Sequence, residues 1–364
     1  RNNPLIFVNI EESDTDMRNI VVEYFYRETA EYNRISYIYN AEKRSYVKQE
    51  EITTVSVSET SDINENTEQL EYKSNGNGTC IVTGMGTYTD SRLVIPSRNP
   101  DGEIVVSVGE KAFGWNSDIT SVEIPSSVKT IGFQAFDGCE NLVDVYLPEG
   151  IEFIGDASFA ECPIAEIDIP ESVKSIGDGA FMYCENLAGI SIPETVEEIG
   201  NLAFFETSFW REYPEDFVVV GNGVLINYKG SSKEVTIPDN VKYISQSFGY
   251  MEYRNSVVEK IIVPETVEGY GEYAFAGCNN LKEIILPDNM KYLPDNAFYS
   301  CCSLEEIIIP DEVESIGESA FDGCELVESI VIPKGVTEMG ATVFNHTDNI
   351  TVYCEAESKP QGWD

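Results

Sequence analysis

Catalysis near neutral pH draws most often on histidine, on a nucleophile beside a base, or on convergent metal ligands. The 364-residue chain holds a single histidine, His346. One imidazole argues against most Ser-His-Asp or Cys-His arrangements and against sites with several histidines around a metal. The sequence has no GxGxxG, no phosphate-binding GxxxxGK[ST], no CxxC and no HExxH. With 64 Asp and Glu, carboxylates fall near one another by chance, so no pair of the glycosidase kind stands out. The run Glu11-Glu12-Ser13-Asp14-Thr15-Asp16 collects oxygen ligands suited to calcium but lacks the glycine and terminal Glu of a calcium loop. A solvated acidic turn is the expectation there. No catalytic residue, metal site or cofactor is expected, and the chain is read as non-enzymatic.

The charge balance removes further classes. Against the 64 acids stand 23 Lys and Arg, a formal charge of −41. Such a field repels nucleic-acid phosphates and anionic membrane surfaces alike, so neither is an expected partner. No apolar run approaches the roughly 18 residues that cross a bilayer. With 42% hydrophobic residues, a substantial core is still within reach. The chain opens Arg1-Asn2-Asn3-Pro4 without an initiator Met, as expected of a product whose targeting segment has been removed.

The elements that must carry any surface chemistry come from a repeat. From residue 93 onward the phrase Ile-Pro-x-x-Val-x-x-Ile-Gly-x-x-Ala-Phe-x-x-Cys recurs with small changes. Its prolines are Pro125, Pro148, Pro170, Pro193, Pro238, Pro264, Pro287, Pro310 and Pro333. The phenylalanines run Phe113, Phe136, Phe159, Phe181, Phe204, Phe248, Phe275, Phe298, Phe321 and Phe344, marking ten units with a basic period of 22–23 residues. That period belongs to leucine-rich repeats. Before each Pro an alternating strand turns the third and first residues back inward and the one between them outward. Pro ends the strand because it has no N–H for the ladder. Val173 and Ile176 then cross the core, and Gly177 is expected to supply a backbone conformation that a side chain hinders. Ala180-Phe181 opens a helix-like convex segment. The expected fold is a leucine-rich-repeat solenoid of about ten turns, with a parallel concave sheet of short strands and helix-like convex segments. Stacking the turns makes one continuous core.

Cys139, Cys162, Cys184, Cys278, Cys301 and Cys324 share one slot, fourteen residues after the Pro. A repeated buried thiol acts as a small hydrophobe, so reduced cysteines are favoured, although sulfurs on neighbouring turns leave disulfides open. The gap between Pro193 and Pro238 is close to two periods, and Phe217–Tyr228, with Gly221-Asn222-Gly223 at its centre, reads as a β-hairpin. The domain plan is a β-rich N-terminal domain or cap over 1–59, a polar linker over 60–69, and the solenoid over 70–364 with a hairpin insertion near 209–232. Strands are expected at 4–10, 19–27, 34–40 and 51–58.

Two rows are candidate binding surfaces. Two residues before each Pro stand Glu123, Tyr146, Asp168, Ser191, Thr236, Ile262, Ile285, Ile308 and Val331. The last four form an aliphatic stripe on consecutive turns, which with Tyr146 is the expected ligand-binding set. Parallel ladders also favour stacked β-branched residues without any ligand. One residue after the Pro runs an acidic rim of Glu149, Glu171, Glu194, Asp239, Glu265, Asp288 and Asp311. It is either a solubilising edge or a field that steers a basic partner or holds calcium loosely.

The phased Ile-Pro, Ile-Gly and Ala-Phe-x-x-Cys elements, with the flanks Leu70-Glu71-Tyr72…Gly78-Thr79-Cys80-Ile81-Val82 and Val352-Tyr353-Cys354-Glu355-Ala356, resemble the BspA-like bacterial cell-surface leucine-rich-repeat family over about residues 70–364. The hairpin also resembles a recurring variant within that family. The resemblance implies a secreted or cell-surface protein without enzymatic activity, acting in adhesion to a host or bacterial surface protein. A structural spacer with weak self-association, or a carbohydrate-binding module, are the competing expectations.

Overall fold

In the computed structural model the described residues are the backbone of 5–12, 18–26, 31–40, 45–49 and 55–56, together with 69–364 except 246–247, 249–256, 348–349, 359, 361 and 364. Residues 13–16 of the acidic run and 60–68 of the linker fall outside them. The chain divides into two compact units, Arg1–Thr67 and Glu68–Asp364. In the first, Leu5–Glu12, Arg18–Tyr26, Glu31–Asn40 and Ser45–Gln49 pair in order as an antiparallel sheet, and Val55–Ser56 joins the third strand. Alternation of Val, Ile and Tyr drives these strands. Ser45–Gln49 is a strand that the sequence reading lacked, because Tyr46-Val47 is too short an apolar run to stand out.

The second unit is a solenoid whose turns carry two rows of short parallel strands. The expected row precedes each Pro and runs from Arg92–Val94 to Thr351–Cys354. The other follows the Pro, as in Thr130–Ile131, Phe153–Ile154 and Ser175–Ile176, which pair in register. The residues read as crossing the core therefore form a second sheet. An antiparallel hairpin, Glu71–Ser74 with Thr79–Gly84, opens this second sheet.

The third side is built from stacked turns. The N–H of Phe136 donates to Ser158 O at 2.8 Å and that of Gly138 to Ala160 O at 2.9 Å, both on the following turn of the solenoid. The alternate N–H groups, of Ala135, Asp137 and Cys139, close local turns three residues back. An α-helix would spend every donor within its own segment; here every second one ties neighbouring turns together. The backbone does this by entering the left-handed region two residues before and two after the Phe, at Gln134 (φ 52°) and Gly138 (φ 67°), or at Asn296 (φ 57°) and Ser300 (φ 59°). The helix-like segments are thus hydrogen-bonded turns, and the one α-helix among the described residues is Ser208–Glu212, capped by Thr207.

Identical side chains stack along the axis. Phe136 and Phe159 lie with ring centroids 5.2 Å apart and nearly parallel, and Phe159 and Phe181 follow at 5.5 Å. Beside them the Cys162 thiol donates to Phe136 O at 3.1 Å, and Cys184 and Cys301 repeat the contact. All nine cysteines are free. The hairpin of Phe217–Val220 and Val224–Tyr228 continues the second sheet, since Val224 and Leu225 pair in parallel with Tyr243 and Ile244. Tyr228 packs 5.5 Å from Phe248 and carries the aromatic column onward.

Gly177 differs from expectation. Its φ is not positive; what it supplies is room. A Cβ there would lie 2.6 Å from Asp156 N and 2.8 Å from Gly155 C on the preceding turn. Gly155, Gly200, Gly317 and Gly340 each face the equivalent backbone of their own preceding turn. Gly177→Ala should lower the urea midpoint by the equivalent of about 1–3 kcal/mol. Gly271→Ala, whose nearest neighbours stand at 3.4 Å, should cost less. Equal midpoints would refute the close-approach explanation.

Burial pushes the Cys184 thiol up to about 12. A thiol-specific chromogenic reagent, which needs thiolate and access, should therefore label exposed Cys354 at once and half-buried Cys302 more slowly. The seven buried cysteines should react only after denaturation.

Candidate interaction surfaces

The first sheet turns its outward positions to solvent in register. Thr236 pairs with Ile262, and Ile262 with Ile285. Ile308 continues that column beside Glu306–Ile307, and Val331 pairs with Tyr353 on the last turn. Ile285, Ile308, Val331 and Tyr353 are 43%, 84%, 49% and 57% exposed, while Ile262 is half-buried. Parallel strands about 4.8 Å apart align these side chains in two ladders, one from Glu234 to Ile307 and one from Ser329 to Cys354. A shallow groove of about 770 Å³ runs over Ile308, Leu326 and Val331, between Glu305, Glu306, Asp311, Glu328 and Glu355.

On a separate ladder of the same strand row Tyr146, 65% exposed and paired with Glu123, stands in a groove of about 930 Å³ with Ala165 and Gly189 among its lining residues. It is far along the chain from the aliphatic column, so the expected binding set separates into two surfaces.

Charged side chains flank the column as ladders. Glu259 accepts from Lys282 Nζ at 2.8 Å and is also paired with Lys233. Lys260 Nζ lies 2.8 Å from both carboxylate oxygens of Glu283. The two lysines hold the Glu259 carboxyl down at about 2, against an ordinary value of 4.5. A lowered acid stabilises the fold above its unfolded value and loses that contribution as pH falls toward its folded value. The thermal-midpoint advantage of the wild type over Glu259→Gln should accordingly hold at pH 7 and fade between pH 4.5 and about 2.

All seven rim acids are exposed. Two of them already have backbone partners on the next turn. Glu149 accepts from the N–H of Glu171 and Ser172 at 3.3 and 3.2 Å, and Glu265 from Asp288 and Asn289 at 2.9 and 3.4 Å. These carboxylates clasp successive turns. His346 lies on the final turn with Nδ1 2.9 Å from Asp322 Oδ1. Among the described residues no group of three or more His, Cys, Asp or Glu is placed to hold a metal, and no helix is long and apolar enough to cross a membrane.

A profile of the BspA type leucine-rich repeat region matches residues 106–214 and 246–357, in six copies. The chain belongs to this family. No curated protein sequence matches it. Among solved structures it is similar to a leucine-rich cell surface protein of Faecalibacterium prausnitzii, at 24% identity over 79% of this chain and 94% of that one, with a TM-score of 0.41. It is also similar to the pneumococcal vaccine antigen PcpA, at 21% identity over 80% and 87% with a TM-score of 0.42. A leucine-rich repeat protein of Bacteroides ovatus shares 24% identity over 82% and 88%, with a TM-score of 0.35.

The BspA type repeat made its outward column easy to find but hid two features. Tyr353 extends the column on a turn that has no following Pro, so phasing on proline passes over it. The outer face of the second sheet holds a groove of about 840 Å³ with Tyr243, Tyr292, Glu272 and Asp295 among its lining residues. Burial, with Asp295 and Asp178 nearby, pushes the Glu272 carboxyl up. A reading that allowed one sheet had no place for that face.

Proposed function

We propose that this BspA type repeat protein is a non-enzymatic binding module displayed outside the cell, recognising a host or bacterial surface protein through its first sheet. The observation that carries the reading is the outward row Ile262, Ile285, Ile308 and Val331, continued by Tyr353, in which all but half-buried Ile262 are exposed between charged flanks. Burying one such aliphatic side chain in a partner contributes about 1.5–3 kcal/mol, so a few together suffice for specific association. Family membership supports surface display and adhesion. The acidic rim adds a field that steers an approaching partner.

The test compares the wild type with Ile285→Asp/Ile308→Asp, immobilised and exposed to host and bacterial surface extracts. Partner capture should be lost while the thermal midpoint falls little, because both side chains already face water. Capture that survives the double substitution would refute this assignment of the site. Light scattering addresses self-association through the same column, which a monodisperse monomer at high concentration excludes.

Exposed Tyr146, in a groove that Ala165 and Gly189 also line, favours a second reading as a carbohydrate platform. A glycan array should then give hits that Tyr146→Ala abolishes, and an empty array removes the reading.

A further inference from the structure

The charge ladders beside the aliphatic column change character along it. At the slot five residues before the Pro, successive turns carry Lys233, Glu259, Lys282, Glu305 and Glu328. At the slot four before, they carry Glu234, Lys260, Glu283, Glu306 and Ser329. Signs alternate through the earlier turns, and Lys233, Glu259 and Lys282, like Lys260 and Glu283, are joined by ion pairs. Alternation then stops. Glu283 meets Glu306 in register, and Glu305 precedes Glu328 in the same slot. Like charges set opposite each other on neighbouring strands are destabilising. They stand where Ile308 is 84% exposed. The groove over Ile308, Leu326 and Val331 is lined by Glu305, Glu306, Asp311, Glu328 and Glu355 and by no Lys or Arg among the described residues.

Resting on the binding role proposed above, we infer that this end of the column receives a cationic segment of the partner protein, with lysine or arginine alternating with aliphatic residues. Its cations continue the interrupted ladders, standing between Glu283 and Glu306 and between Glu305 and Glu328, where the turns before them pair Lys282 with Glu259 and Lys260 with Glu283. Its aliphatic side chains cover Ile308 and Val331. An acidic segment meets repulsion on both flanks, and an apolar one leaves the carboxylates unpaired.

The probe is a short labelled peptide of alternating lysine and valine, with a glutamine–valine peptide as control, followed by fluorescence anisotropy. The lysine peptide should bind and the glutamine peptide should not, with affinity falling as salt rises. Glu306→Lys/Glu328→Lys restores alternation within the chain. It should weaken the lysine peptide about tenfold or more and raise the thermal midpoint. Glu171→Lys/Glu194→Lys makes the same change of charge on the distant rim and should weaken it less than about threefold. Ile308→Ser should also weaken binding. Equal weakening by the two double variants, or a lowered midpoint in the first, overturns the inference. If the peptide fails while capture from extracts still depends on Ile285 and Ile308, the cationic segment is wrong and the binding surface stands. Capture indifferent to those residues removes both.

Discussion

The structure depends on hydrogen bonding between successive turns, carried on three sides of the coil, with the first strand row divided into four ladders. The two strand rows supply parallel ladders, and the stacked turns around each Phe supply the third. A ladder on one side alone would leave the others free to splay. With most turns tied on more than one side, the rise per turn approaches the spacing between β-strands. Every residue then lies directly above its equivalent one turn earlier. The aromatic column from Phe113 to Phe204, the thiols beside it and the glycines of the second sheet are consequences of that spacing.

Small residues recur where this spacing leaves least space. At Gly155, Gly177 and Gly200 the backbone of the preceding turn occupies the volume a side chain would need. At the cysteine slot the thiol is small enough to enter the core and still donate to a carbonyl, as Cys162 does to Phe136. Where the repeat is interrupted, the constraint holds by other means: Val224–Tyr228 joins the second sheet from a hairpin, and Tyr228 supplies a ring. The core stays filled across a segment that lacks the repeat's own residues.

Outward positions escape this discipline. They need only tolerate their equivalents on the neighbouring turns, so they vary from Glu123 and Tyr146 to Ile285 and Ile308 without disturbing the coil. Some of that freedom is spent on cohesion, as when Glu149 and Glu265 reach the N–H groups of the following turn or when Glu259 sits between two lysines. What cohesion does not use is the exposed aliphatic column and its unbalanced acidic end.

The sequence by itself determined the repeat, the inward residues and the outward column. Each follows from residue type at a fixed period, and a period survives any uncertainty about conformation. Pro125 through Pro333 and Phe113 through Phe344 were enough to phase the turns and to predict which side of each strand faces water. The tertiary structure decided what the period could not express. The segment around Ile176 read as a crossing because two inward residues three apart do not show strand alternation, and only pairing with the turns on either side makes it a second sheet. The role of Gly177 was invisible for a related reason: a positive φ is a property of one residue, whereas close approach belongs to two turns. The acidic rim and the charge ladders were legible as rows, but whether a carboxylate is clasped, paired or left facing another carboxylate depends on the neighbouring turn. Contacts between equivalent positions are distances in space, and they exist only once the coil has closed.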